Sequence, residues 1–592
     1  MFPCKYKIYL DIHGICRYIY PMYVEIVPNR NSPPAILLRE GWREGGKSRK
    51  RTLANLSDWP EHKIATLRKL LRNEALVSPD ELFETSRTLP HGHVEAVLGT
   101  IRKLGLDTML SARRSRERDL VIAMIASQLI HSSSKLSVSR LWEATTLGEE
   151  LSVQDADENE LYAAMDWLYE RQGRIEKKLA GRHLKEGGIV LYDVTNSFYE
   201  GKRCPLAKYG YAKDGNKGLP VIAYGVITDE EGRPIAVSVY PGNTGDASTV
   251  SEQTEKLRER FGLNRMVLVG DRGTLTQAQL DKMKEGKGIG WITALRSESI
   301  RRLVKEGCLQ RSLFDEKNLA EIVSESYPGE RLVACFNPLL ANERGSKRDA
   351  LLLATDKELE KVTGQVSRRK KKPMTASEIG LKAGKVLGRY KMGKHYCLTI
   401  EDGQFQWERN TDTIQQEAAL DGIYVIRTSE PQDSLSAQET VRRYKSLSQV
   451  EQTFRAMKGI DILVRPIRHR TQERVPAHIF LCMLACYVEW HMRRAPAPIL
   501  FEDHELPVTR RQRDPVLPVK ASKAAKAKKS SRRTKDGFVV HSFATLLSEL
   551  SCRAKITCRM ISDPTSPTFH QITKPTSLQA KALELLGLNR SQ

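Results

Sequence analysis

The chain has no CxxC pair, and its ten cysteines are scattered through 592 residues. Cys482 and Cys486 lie one helical turn apart, and Cys552 and Cys558 lie six residues apart. Neither spacing suits a zinc site or a disulfide framework, so the cysteines read as small apolar residues in a reducing compartment. No apolar run is long enough to span a membrane. The longest, IFLCMLACYVEW at 479–490, ends near a charge and predicts a buried core helix. The opening MFPCKYKIYLDIHG has an early acid and no continuous apolar stretch, which argues against a secretory signal. There is no internal repeat, and no clean helix-turn-helix can be read in the first 105 residues. Acidic residues are also short: 72 Asp and Glu stand against 95 Lys and Arg, a formal net charge of +23. That excess points to a polyanion, with nucleic acid ahead of a membrane surface because no strongly amphipathic basic segment is present. An apolar content of 40% supports real cores, and the length suggests three or four domains. The expectation is a cytoplasmic, nucleoid-associated protein with no membrane partner.

Residues 1–105 form a small basic module. Strand-like runs (KYKIYLDI, YVEIV) precede WREGGKSRKRTLANLSDWP and a short helix, HKIATLRKLLR. It reads equally as a DNA-binding unit or as an α+β decoration. Residues 106–186 are helical by their three- and four-residue apolar spacing, with Glu176, Lys177 and Lys178 on a solvated face. From 187 to 296 the texture is α/β. IVLYDVTNSFY is followed by two apolar runs joined through EEGR, a hairpin signal; a helix, the strand MVLVGD, a second helix and the strand GIGWITAL complete a core of mixed pairing. Residues 297–435 read as a β-rich basic insertion, and 436–495 as a return to the core through one strong helix, SAQETVRRYKSLSQVEQTFRAMKG. Residues 496–592 carry a Lys/Arg/Ser/Pro tract at 508–535, expected to be a solvated linker or arm, then a last helix and strand.

Two acids stand in similar local settings. Asp193 and Asp271 each close an apolar strand and precede small polar or turn residues. Singly, either reads as a cap ahead of a reagent. Brought together at strand ends, two carboxylates need a cation between them to stay ionised, and Mg²⁺ suits them because it prefers oxygen ligands and accepts phosphate oxygens as well. A pair of such ions would clamp a phosphodiester. A third acid lies on the 436–458 helix, where Tyr444, Glu451 and Lys458 recur every seven residues on one face. Glu451 is expected to be hemmed in beside Val450 and Phe454, which would bury against the sheet. Trp407 reads as a core residue before a base-stacking one, and His478 as a structural hydrogen-bonding residue.

Together, YDVTNSFYEG, YPGNTGD, GDRGTLT, YKSLSQVEQTFRAMK and RPIRHRTQERVPAHIFLCMLACYV resemble the DDE-class insertion-sequence transposases. The likeness is to the broad IS4 group, IS1634-like branch, over roughly residues 115–495. The resemblance implies an RNase H-like core interrupted by a β-rich insertion, with a helical N-terminal region and a basic C-terminal tail. It implies Asp193, Asp271 and Glu451 as catalytic and metal-binding residues holding two Mg²⁺ ions, with Mn²⁺ a possible substitute. The family's Tyr-Arg-Glu-Lys signature is met by Tyr444, Glu451 and Lys458, but Leu447 stands at its Arg position; Arg443 or Lys445 would supply that charge. Tyr444, Lys458, Arg465, Arg468 and Arg470 are the expected DNA contacts. The implied function is cleavage of double-stranded transposon inverted-repeat ends and strand transfer into target DNA by a dimer on DNA. The alternatives are a metal-dependent nuclease without strand transfer, and a non-catalytic, domesticated DNA-binding transposase.

Overall fold

The computed structural model describes residues 9–10, 16–17, 22–30, 32–72, 74, 83–213, 215, 218–286, 288–506, 513–561 and 567–588. Contacts divide the chain into two units, Met1–Thr88 with Ile556–Gln571, and Leu89–Lys555 with Ile572–Gln592.

In the first unit, β1 (Met22–Val27), β2 (Ala35–Glu44) and β3 (Lys47–Asn55) form an antiparallel sheet followed by α1 (Glu61–Leu71). Much of its positive charge is answered across the strands. Arg39 and Lys50 both reach Glu25, at 2.7 and 3.0 Å, and Arg51 reaches Glu40 at 2.8 Å. The module ends near residue 88 and not at 105. The helix Gly92–Lys103 buries Val94, Val97, Leu98 and Ile101 in the main core of the second unit, and that burial moves the boundary.

The second unit opens on helices that include α2 (Arg116–Ile130), α3 (Glu158–Glu170) and α4 (Gln172–His183). Ser115 caps α2 by accepting from the Arg118 N–H, and Asp157 caps α3 by accepting from the Glu160 N–H. Glu176 on α4 departs from the expected solvated face, being fully buried. Its Oε1 accepts from the Val237 backbone N–H at 3.0 Å and from Gln172 at 2.7 Å, so it satisfies a sheet N–H that water cannot reach.

The sheet follows the sequence reading closely. β5 (Ile189–Phe198), β6 (Val221–Thr228) and β7 (Pro234–Pro241) are an antiparallel trio. A helical segment starting at α5 (Val250–Glu255) leads to β8 (Met266–Val269), parallel to β5, and α6 (Gln277–Glu285) leads to β9 (Ile289–Ala294), parallel to β8. The spatial order β7-β6-β5-β8-β9 is the core of one eight-stranded mixed sheet.

The 297–435 segment is not a separate β-rich domain. After α7 (Ser297–Lys305), its β10 (Leu319–Ile322), β11 (Arg331–Phe336) and β14 (Ile423–Thr428) extend the core sheet in the order β10-β11-β14-β9. Between them α8 (Pro338–Arg368), α9 (Ala376–Tyr390) and the hairpin β12 (Tyr396–Glu401) with β13 (Gln404–Arg409) enclose a small core of their own. Trp407 packs there at 5.8 Å from the Tyr396 ring, as a core residue.

The expected single helix at 436–458 is two, α10 (Ala437–Lys445) and α11 (Leu447–Lys458). They part at buried Ser446, whose hydroxyl donates to the Arg443 carbonyl at 2.5 Å. α12 (Arg474–Arg494) is the one helix, among the described residues, long and apolar enough to cross a membrane, but 83% of its apolar window is buried inside the fold. The basic tract is not a solvated arm where it is described. Lys523–Ser531 is a helix (α13), and Lys528 is buried with its ammonium donating to the carbonyls of Ala497, Leu500 and Glu502 at 2.9, 2.7 and 2.7 Å.

Candidate active site

The parallel register of β5 and β8 pairs Val267 with Ile189, Leu268 with Val190 and Val269 with Leu191. Carried two residues further, the same register brings Asp271 level with Asp193. β8 ends at Val269, whereas β5 runs on to Phe198 because its other neighbour, β6, keeps pairing to that residue. Asp193 therefore lies mid-strand and not at a strand tip as the sequence suggests; the edge it marks is that of the parallel half of the sheet. Such an edge is where adjacent strands deliver side chains to a common crevice.

The two aspartates are held differently. Asp271 Oδ1 accepts the Gly273 and Thr274 backbone N–H groups at 2.9 and 2.7 Å, which fixes the turn after β8. Asp193 Oδ1 accepts only its following N–H, that of Val194, at 2.8 Å. Burial pushes the Asp193 carboxyl up to about 7; the Asp271 and Asp246 charges push the same way, while the Val194 N–H and the Lys213 ammonium oppose them. Lys213 reaches in from the loop after β5, donating to the Val194 carbonyl at 2.6 Å and to Asp246 at 2.7 Å. Sequence reasoning gave Lys213 and Asp246 no role. Asp246 lies in the quoted YPGNTGD motif, which was the available signal.

α11 covers the same face. The Lys458 ammonium donates to the Thr195 hydroxyl at 2.6 Å, and Thr195 shares a strand face with Asp193 through the two-residue period. Thr453 donates to the Gly232 carbonyl at 2.8 Å, and Phe454 packs edge-on against Tyr224 at 6.1 Å, so the helix is anchored to the sheet by its apolar side. Glu451, two turns before Lys458, is exposed and not hemmed in, with Arg455 at 3.5 Å. Burial raises the half-buried Tyr444 phenol to about 12, and the charges of Asp271 and Glu451 add to that rise, while Arg272 opposes it. Tyr444 thus faces both acids, though the break at Ser446 puts it on a different helix from Glu451 and Lys458. Among the described residues no three His, Cys, Asp or Glu side chains lie close enough together to hold a metal ion. The closely matched carboxylates are the two on the sheet.

The expected DNA contacts are mixed. Arg465 donates to the Lys458 carbonyl at 3.2 Å, which turns it toward the helix end. Arg468 is paired with Glu200 at 2.9 Å, whereas Arg470 is exposed and makes no ion pair with any described residue. Arg443 pairs with Glu230 and with Glu439, and Lys445 donates to the Val516 carbonyl at 2.6 Å, so neither stands open in place of the missing arginine. His478 is structural, bonded to the Val464 carbonyl at 3.1 Å, and burial lowers its imidazole well below the usual range.

A model of the transposase DDE domain matches residues 185–488, just over half of the chain. A model of the IS1634 family transposase N-terminal domain matches residues 24–81, the three-stranded sheet and α1 of the first unit. No curated protein matches the chain. Among solved structures, a piggyBac transposase synaptic complex with hairpin DNA is similar at 9% identity and a TM-score of 0.33, over 69% of this chain and 73% of that one. The two family matches lie in the order in which the fold presents their parts, sheet module first and acid-bearing core after it. The chain belongs to the DDE transposases of the IS1634 family, DNA transposases that cut and join strands with divalent metal.

Proposed function

We propose that Asp193 and Asp271 hold a divalent cation over the scissile phosphodiester and that Glu451 completes the set from α11. The observation that carries this reading is the shared level of the two aspartates, with the Asp193 carboxyl pushed up to about 7 beside its neighbour. A half-buried pair of carboxylates with oxygens left over from hydrogen bonding fits a hard cation with oxygen ligands, and Mg²⁺ is the natural choice, with Mn²⁺ able to replace it. Two ions would stabilise the attacking and leaving oxygens of an in-line displacement. Lys458, anchored at Thr195, and Arg470 would contact phosphates, with Tyr444, Arg465 and Arg468 lining the approach.

The order β7-β6-β5-β8-β9 supports an RNase H-like core, with an antiparallel trio followed by two helix-linked parallel strands. In this reading the enzyme binds inverted-repeat ends as a dimer, cuts them, and lets each freed 3′-hydroxyl attack target DNA. It acts in the cytoplasm on the nucleoid. The test is cleavage and joining of duplexes carrying the DNA that flanks the coding region. Asp271→Ala should lose both steps while retaining end binding, and Mg²⁺ or Mn²⁺, but not Ca²⁺, should support the wild type. Joined products from pre-cleaved ends distinguish a transposase from a nuclease. Strand transfer persisting in Asp271→Ala would refute the assignment.

A further inference from the structure

The loop after β5 exposes two large aromatic side chains. Tyr209 is 75% exposed and Tyr211 85% exposed, the two most exposed tyrosines among the described residues. Solvated aromatic rings are ordinary on a loose segment, but this one is fastened at several points. Lys208 exchanges backbone hydrogen bonds with Val221 at 3.1 and 2.8 Å, and the Gly242 N–H donates to the Leu206 carbonyl at 3.0 Å. Gly210, between the two tyrosines, lies so close to the Gly242 carbonyl that a Cβ there would collide with it. Asn196, on β5, clamps the far side: its amide donates to the Tyr211 carbonyl at 2.7 Å and accepts from the Lys213 N–H at 3.0 Å. Lys213 then reaches the carbonyl of Val194, next to Asp193.

Two rings are thus held in solvent on a fastened backbone, in the loop whose Lys213 reaches the Val194 carbonyl next to Asp193. The same loop carries Lys202, Arg203 and Lys208, all exposed, and none makes an ion pair with a described residue. In the first unit many basic side chains are matched to acids; here they are not. Unmatched cations interleaved with rigid aromatic faces suit a nucleic-acid strand, because the cations take the phosphates and every base has a face to stack. Holding the rings in place beforehand also reduces the entropy lost on binding.

We propose that Tyr209 and Tyr211 form a stacking platform for unpaired bases of the DNA flanking the scissile phosphate, with Lys202, Arg203 and Lys208 holding the backbone of that strand. This rests on the reading of Asp193 and Asp271 as the cleavage centre only for where the strand lies. Stacking on a platform does not itself need metal or cleavage.

The experiment is competition binding to a short oligothymidine and to a fully paired duplex of equal length, in EDTA, with the full-length chain. Tyr209→Ala and Tyr211→Ala should each weaken binding to the single strand by about tenfold and change duplex binding by less than about twofold. Tyr209→Phe and Tyr211→Phe should bind as the wild type does, because the ring face stacks without its hydroxyl. Both side chains are exposed, and unchanged thermal melting would confirm that each variant folds. Wild-type affinity of the alanine variants for oligothymidine overturns the platform, as does equal weakening on single strand and duplex, which would mean a general contact of the kind a protein partner or phosphates alone could make. Because no cutting is scored, a failure of the Asp271→Ala cleavage test leaves this result standing, and the reverse also holds.

Discussion

The acids on the sheet and the acid on the helix are kept in opposite ways. Asp193 lies half-buried beside another carboxylate, with one backbone N–H donating to it, and its carboxyl is pushed up to about 7. Asp271, one strand away, has two backbone N–H groups donating to it. Glu451 lies in solvent with a loose arginine partner. The sheet therefore holds Asp193 at a cost to the fold and Asp271 by two donated N–H groups, while the helix presents the third acid to solvent. A strained charge is a common mark of a functional site, and here it singles out Asp193 over the other two.

The contrast predicts stability effects of different sign, and the largest belongs to Asp193. Its folded value of about 7 lies above the ordinary 3.8. Between those two pH values the native state keeps a proton that the unfolded chain has lost, so stability falls as pH rises through that window and is lowest above it. Asp193→Asn removes the penalty. In EDTA the variant should match the wild type near pH 4 and be more stable by about 2–4 kcal/mol at pH 8. Chemical denaturation at both pH values measures this, and saturating Mg²⁺ should shrink the gap by stabilising the wild type alone. An Asn variant less stable than the wild type at pH 8 would mean that the Asp193 charge is already satisfied by the fold.

Asp271 should move the other way and by less. Asp271→Ala strips the acceptor from the Gly273 and Thr274 N–H groups, and Thr274 is fully buried, so the turn loses about 1–2 kcal/mol. Asp271→Asn keeps an oxygen in place and should recover about half of that loss. A stabilising Asp271→Ala would make the two sheet acids equivalent and remove the distinction.

Much of this was legible in the chain because the relevant signals are local. Apolar runs bounded by EEGR and by two helices gave the five core strands, and Asp193 and Asp271 were visible as acids following such runs. What escaped depended on partners distant in sequence. The reach of β5 past Asp193 is set by β6, and the burial of Glu176 by a backbone N–H on β7. Lys528 looks like one lysine of a soluble tract until three carbonyls from 497–502 surround it. The helices of the insertion carry local signals that the β-rich reading of 297–435 passes over: Asn337 caps α8 with Pro338 in its first turn, and Thr375 with Glu378 makes a capping box at the start of α9.

Glu451 gives the smallest stability effect and the sharpest separation of fold from function. Its partner Arg455 lies one turn on at 3.5 Å, and both side chains are more than half exposed, so the pair contributes little. Glu451→Gln should leave the unfolding midpoint within the scatter expected of a surface substitution, about 0.5 kcal/mol either way, at pH 4 and at pH 8 alike. Cleavage should nevertheless fall by about a hundredfold or more, because a glutamine oxygen cannot replace a carboxylate beside a cation. The decisive comparison is with Arg455→Gln, which removes the other half of the same ion pair. If Glu451 serves only the helix surface, the two variants should behave alike in both assays. If it faces the acids of the sheet across the crevice where Tyr444 senses Asp271 and Glu451 together, only the glutamate variant should lose activity.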